Sequence, residues 1–118
     1  MEIKISKNAD DIYLLDLSGP LDLYSSNQLK NLVLKMFEKR IDCIIVDLKD
    51  VTSIISAGIG AMIYIASTLK KLNCPLVFIV PEGPVMQALE VTRIRNFFII
   101  ASTLKEAMAL TAKNTDGA

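Results

Sequence analysis

The chain contains no histidine and no tryptophan, and it has two cysteines. Each shortage closes off a class of chemistry. Without histidine the usual general base and the commonest nitrogen ligand of zinc sites are missing. Cys43 and Cys74 lack metal-ligand spacing. Each falls at the expected start of a strand and reads as a small apolar core residue. No secretory leader pattern appears over Met1-Glu2-Ile3-Lys4-Ile5, and this cysteine usage predicts a reducing cytoplasm. An excess of charge is missing too. Lys plus Arg and Asp plus Glu both number 13, and the longest basic runs are the pairs Lys39-Arg40 and Lys70-Lys71. This balance argues against nucleic acid as the main partner, because binding phosphates needs a concentrated positive field. Aromatics make up 6% of residues, so aliphatic side chains must build the core.

Apolar residues are abundant. They form 52% of 118 residues, enough for a single domain around one core. From Val51 to Leu69 no residue is charged, and a membrane-spanning helix needs about 20 apolar residues. Thr52, Ser53, Ser56, Ser67, Thr68 and two glycines interrupt that stretch. A loop followed by a buried helix accounts for it better than a membrane span.

Alternation predicts a first strand over 3–7, a turn at Asn8-Ala9-Asp10-Asp11 and a second strand over 12–17, ended by Gly19-Pro20. Ser25 with Gln28 three residues on has capping-box spacing. A helix should follow, burying Leu29, Leu32, Val33, Met36 and Phe37. The run Cys43 to Leu48 reads as a buried strand, and Asp47-Leu48-Lys49-Asp50-Val51 as its polar exit into a loop. No third ligand or histidine accompanies those carboxylates, so solubility explains them better than acid–base or metal chemistry. A second helix is expected over 57–72 with Ile59, Met62, Ile63, Ala66 and Leu69 facing the core. Its remaining surface is unusually apolar, at Ala61, Tyr64 and Ile65, and calls for a cover from this chain or from a partner. Asn73-Cys74-Pro75 breaks that helix. A buried strand over 76–80, a turn at 81–84, a short helix over 85–91 and a last strand over 97–100 follow. Thr103 and Glu106 form a second capping box, and 113–118 should fray. The order predicts an α/β fold, a mixed sheet of four to five strands packed with about four helices in one domain over 1–118, its core at about 3–110.

The segment Ile54-Ile55-Ser56-Ala57-Gly58-Ile59-Gly60 carries the most information. A small hydroxyl residue followed by small residues sits where a strand hands over to a helix N-terminus, the positive end of the helix dipole. Taken alone, Ser56 could be a plain N-cap with glycines for tight packing, or the amides near it a phosphate cradle for a nucleotide. The cradle is weakly supported, since no longer glycine fingerprint and no following Lys are present.

The segment resembles the phosphorylatable serine of the STAS domain family, the bacterial anti-sigma factor antagonists. Ser56, Ala57, Gly58, Ile59 and Gly60 match that pattern, while Ile55 stands where the family usually has Asp. Gly19-Pro20-Leu21-Asp22 resembles the family segment that lies near the serine and helps form the partner surface. The element order agrees with the fold from about Ile3 to Leu110. At Leu89-Glu90-Val91-Thr92-Arg93-Ile94, Arg93 occupies the place where a Gly commonly ends the third helix, which predicts a different local turn.

The resemblance implies a cytoplasmic regulator that needs no cofactor and is a substrate rather than an enzyme. Its partners would be a serine-kinase anti-sigma factor, which it binds when unphosphorylated, and a serine phosphatase. Ser56 would be the phosphorylation site, and Asp22, Leu23, Tyr24, Ser25, Ser56, Ala57, Gly58 and Ile59 the partner surface. Asp22 reads equally as a local turn cap. The alternative within the family is a constitutive binding module, or one that assembles with itself through the apolar face of the second helix.

Overall fold

The computed structural model describes the backbone of residues 1–116 except Ala9 and Arg40, and side chains as far as Thr111. Five strands form one sheet in sequence order: β1 (Glu2–Lys7), β2 (Ile12–Leu21), β3 (Cys43–Ile54), β4 (Leu76–Ile79) and β5 (Ile100–Ala101). β1 runs antiparallel to β2, and the other three pairings are parallel. The helices are α1 (Leu23–Met36), α2 (Ser56–Lys71), α3 (Pro84–Val91) and α4 (Leu104–Asp116). The expected fraying over 113–118 falls on residues outside those whose side chains are described.

Alternation along the strands builds two cores. Leu15 and Leu17 of β2, Ile44, Val46 and Leu48 of β3, and Leu76 and Phe78 of β4 face one side. There they meet Leu29 and Val33 of α1, Met62, Ile65 and Leu69 of α2, and Val85 and Leu89 of α3. Ile45, Val77, Ile79 and Ala101 point the other way, into a smaller cluster with Ala107 of α4. Burying a side chain such as Phe78 stabilises the fold by about 1.5–3 kcal/mol.

Two strands run further than their sequence predicts. β2 continues through Gly19 and Pro20 to Leu21. β1 pairs with β2 only as far as Ser18, so Pro20 lies beyond its reach and is paired with β3 alone. A proline without an N–H is tolerated where one side of the strand is free. Gly19 takes φ +100° beside a break in register, a conformation that favours glycine. The segment Asp47 to Val51 is likewise strand rather than loop. β4 covers β3 only from Ile44 to Asp47, and the remainder of β3 pairs with β2 alone. Asp47 is buried and accepts from the backbone N–H and the ammonium of Lys49, both at 2.9 Å. Lys49 also lies 3.4 Å from Asp16 and 3.6 Å from Asp50. The hydrogen bond to Asp47, helped by the other carboxylate charge, holds the Lys49 ammonium above the usual lysine range. Among the described residues no group of three or more metal-ligating side chains is placed to hold a metal ion.

The apolar surplus on α2 is accounted for within the chain. Ala61 and Ile65 are buried, as are Met62 and Leu69, whereas Ile59, Ile63 and Ala66 from the expected core stripe are half-buried. The stripe is rotated from the predicted one because α2 packs against α1 as well as the sheet. Tyr64 stays 46% exposed, with the Lys30 ammonium of α1 5.6 Å from its ring centre. The helix face suggested for self-assembly is therefore largely filled by the chain itself.

The expected strand over 97–100 is mostly something else: a 3₁₀ turn spans Arg95–Phe97, and β5 is two residues long. α3 ends in a Schellman motif, the N–H of Ile94 donating to Leu89 and that of Arg93 to Glu90, each at 3.1 Å. Arg93 itself adopts φ +60°. The local turn is thus the one a glycine would make, held by those two hydrogen bonds despite the side chain. α2 ends the same way around Asn73, φ +56°. Among the described residues no helix is long and apolar enough to cross a membrane.

Candidate functional site

β2 and β3 are parallel neighbours, so their C-terminal ends deliver two helix N-termini side by side. Leu21 pairs with Ile54, and the N–H of Ile55 donates to the carbonyl of Leu21 at 3.3 Å. The next residues are Asp22, which opens α1, and Ser56, which opens α2.

The α1 end is closed. Asp22, and not Ser25, is the N-cap. Its carboxylate accepts from the Ser25 N–H at 2.9 Å, and the Ser25 hydroxyl accepts from the Asp22 N–H at 2.8 Å, a reciprocal capping box. Both Asp22-x-x-Ser25 and Ser25-x-x-Gln28 have the required spacing. Tertiary placement chooses the first, because the Ser25 hydroxyl is buried against the Pro20 carbonyl, 3.0 Å away. The hydrogen bonds from Ser25 hold the Asp22 carboxyl below the usual carboxylate range.

The α2 end is open. Ile55, not Ser56, occupies the N-cap position in extended backbone (φ −108°, ψ 175°), and it offers no side-chain acceptor. Ser56 is the first helical residue; it is exposed, and its hydroxyl has no hydrogen-bond partner among the described residues. No side chain caps the first-turn N–H groups of α2; that of Gly58 donates to the Ile55 carbonyl at 2.9 Å, and those before it have no intrahelical acceptor.

Gly58 makes the close approach possible. A Cβ there would lie 2.8 Å from Cγ1 of Ile54 and 2.9 Å from Cγ of Leu21, which is wholly buried. Gly60 on the same helix faces open space.

The structure brings the sequence-predicted residues to one end of the sheet but not all to the surface. Leu23 and Tyr24 are 62% and 77% exposed, Ser56 is exposed, and Ala57 and Ile59 are half-buried. Ser25 and Gly58 are buried; they shape the loops from within. One residue absent from the sequence-based surface is exposed next to it: Ile55, 48% exposed beside Ser56. Its signal was already in the sequence, as an apolar residue in a place where a carboxylate is usual. The two cysteines lie elsewhere, unpaired and buried. Burial pushes the Cys43 thiol up to about 12 and that of Cys74 to about 11, which disfavours the thiolate.

Known folds place this arrangement. The chain resembles the Thermotoga maritima protein TM1081 with a TM-score of 0.84 and 22% identity, over 93% of this chain and 94% of that one. An anti-sigma factor antagonist from Mycobacterium paratuberculosis gives a TM-score of 0.78 and 17% identity, over 94% and 95%. The Bacillus cell fate determinant SpoIIAA in its phosphorylated form gives 0.69 and 16%, over 92% and 97%. At these identities the likeness concerns the fold. No curated protein matches the chain. The family model for the STAS domain matches residues 4–107, and the chain belongs to that family.

Proposed function

We propose that this protein is an anti-sigma factor antagonist that binds a serine-kinase anti-sigma factor through the paired N-termini of α1 and α2, and that phosphorylation of Ser56 releases it. The carrying observation is the state of Ser56: exposed, its hydroxyl without a hydrogen-bond partner among the described residues, and first in a 16-residue helix, beside exposed Leu23, Tyr24 and Ile55. A phosphoryl group there brings about −1.5 to −2 charges and three acceptor oxygens. The helix dipole and the uncapped first-turn amides favour that charge, so the fold survives modification. The apolar surface around it does not, since a partner seated on Leu23, Tyr24 and Ile55 would have to desolvate a phosphate. Binding changes while the fold stays. Related structures support the reading: SpoIIAA is an anti-sigma factor antagonist described in unphosphorylated and phosphorylated forms. A serine phosphatase would restore the binding state.

Ile55 favours a second reading, a constitutive binding module. It leaves the N-cap without the carboxylate that the family usually has there, and it adds apolar surface.

One experiment separates the two. The serine-kinase anti-sigma factors of the same organism are purified and assayed for binding to Ser56→Ala and Ser56→Glu. Under the switch, Ser56→Ala keeps the partner and Ser56→Glu loses it. Equal binding by both leaves the constitutive module standing.

A further inference from the structure

We propose that the cleft between the C-terminal half of α2 and the 3₁₀ turn over Arg95–Phe97 is a binding site for a small carboxylate with an apolar body, such as a medium-chain fatty acid. The cleft measures about 410 Å³, inside the range of about 300–1,000 Å³ common to small-molecule sites. Its construction is asymmetric. The floor is made of buried apolar side chains, among them Leu76 and Phe78 of β4 and Phe98. Phe98 meets Phe78 and Phe97 edge-on, both at 5.2 Å between ring centres, so the aromatic wall is packed in place. One rim carries exposed Phe97, the other exposed Lys70 and Asn73.

Charge selects the ligand class. Lys70 makes no ion pair and the Asn73 side chain no hydrogen bond among the described residues. The left-handed backbone of Asn73, fixed by its hydrogen bond to Lys70, holds that rim. A carboxylate at the rim would take the Lys70 ammonium and the Asn73 amide, while an alkyl chain would fill the floor. A cation would face Lys70 instead, and a fully polar ligand would strip water from the rings without replacing it. The cleft lies about 20 Å along α2 from Ser56, so it stands apart from the proposed partner surface and rests on none of that reading.

The test is an amide-resonance titration of the whole isotope-labelled chain with octanoate, and in parallel with octanol as a neutral ligand of the same shape. The expected result is saturable shifts confined to 70–78 and 97–99, with octanoate bound about tenfold more tightly than octanol. Lys70→Gln, an exposed substitution, should abolish that preference. Ala66→Phe, which puts a ring into the cleft, should remove both. Absence of saturable shifts into the millimolar range would overturn the site. Equal affinity for octanoate and octanol, or an undiminished preference in Lys70→Gln, would overturn the assignment to a carboxylate.

Discussion

Two helix N-termini lie side by side at the ends of β2 and β3, and each carries a serine, yet the two serines have opposite fates. Ser25 is buried, and its hydroxyl is held by the Asp22 N–H and carboxylate and the Pro20 carbonyl. Ser56 is exposed, and its hydroxyl is bonded to nothing among the described residues. The difference comes from the residue just before each helix. Asp22 supplies an acceptor that draws Ser25 into a closed ring of hydrogen bonds; Ile55 supplies none. A hydroxyl becomes available for modification when its local backbone does not need it. In the proposed switch the sealed end is the fixed part of the surface and the open end the changeable part.

The largest effect should come from interfering with the glycine that brings the open end against the sheet. Gly58→Ala forces a methyl group against buried Leu21 and against Ile54. It should destabilise by about 1–3 kcal/mol in urea unfolding. Gly60→Ala, two residues on with no neighbour to meet, should instead stabilise by about 0.5–1 kcal/mol through helix propensity. Equal effects would mean that α2 does not sit as tightly on the strand ends as the structure has it.

Breaking the sealed end is the next test. Ser25→Ala strands the Asp22 N–H and should cost about 1–3 kcal/mol by the same measurement. Sealing the open end is its counterpart. Ile55→Asp places an acceptor at the N-cap and should stabilise by about 0.5–2 kcal/mol. It should also slow amide exchange at Ala57, the second residue of the helix, since the Gly58 N–H already donates to the Ile55 carbonyl. No gain would show that the first turn of α2 is already satisfied by solvent.

The smallest effect concerns pH. The folded-state pKa of Asp22 is depressed by Ser25, so its contribution is present above the ordinary carboxylate value and disappears as pH falls through the lower folded value. Solvent screens this exposed group, so the loss should be modest. Wild type and Asp22→Asn should converge in thermal midpoint as pH is lowered below the usual carboxylate range, and separate above it. Parallel midpoints throughout would remove the carboxylate from the cap.

Much of the fold was legible in the chain because burial repeats with the period of the element. Alternation marked β1 and the start of β2, apolar runs marked β3 and β4, and 3.6-residue spacing marked α1 and α2. The errors share a cause. Gly19-Pro20 read as a strand end because local rules cannot tell that the pairing with β1 stops at Ser18 of β2 and leaves Pro20 an empty side. Asp47 to Val51 read as a loop because its polar residues serve a one-sided extension of β3. The rotation of the α2 stripe depended on α1, an element from elsewhere in the chain. At the site, Ser56 and its small neighbours were visible, whereas the exposure of Ile55 and the closure of Ser25 were not.

By itself the sequence determined the order of elements, the family pattern around Ser56 and the absence of a carboxylate before it, since these depend on residue identity and on spacing along one chain. Which serine is locked and which is free was decided only by tertiary structure. That choice depends on β2 and β3 lying parallel and in register, so that Pro20, Leu21 and Ile54 meet residues that no local pattern brings together.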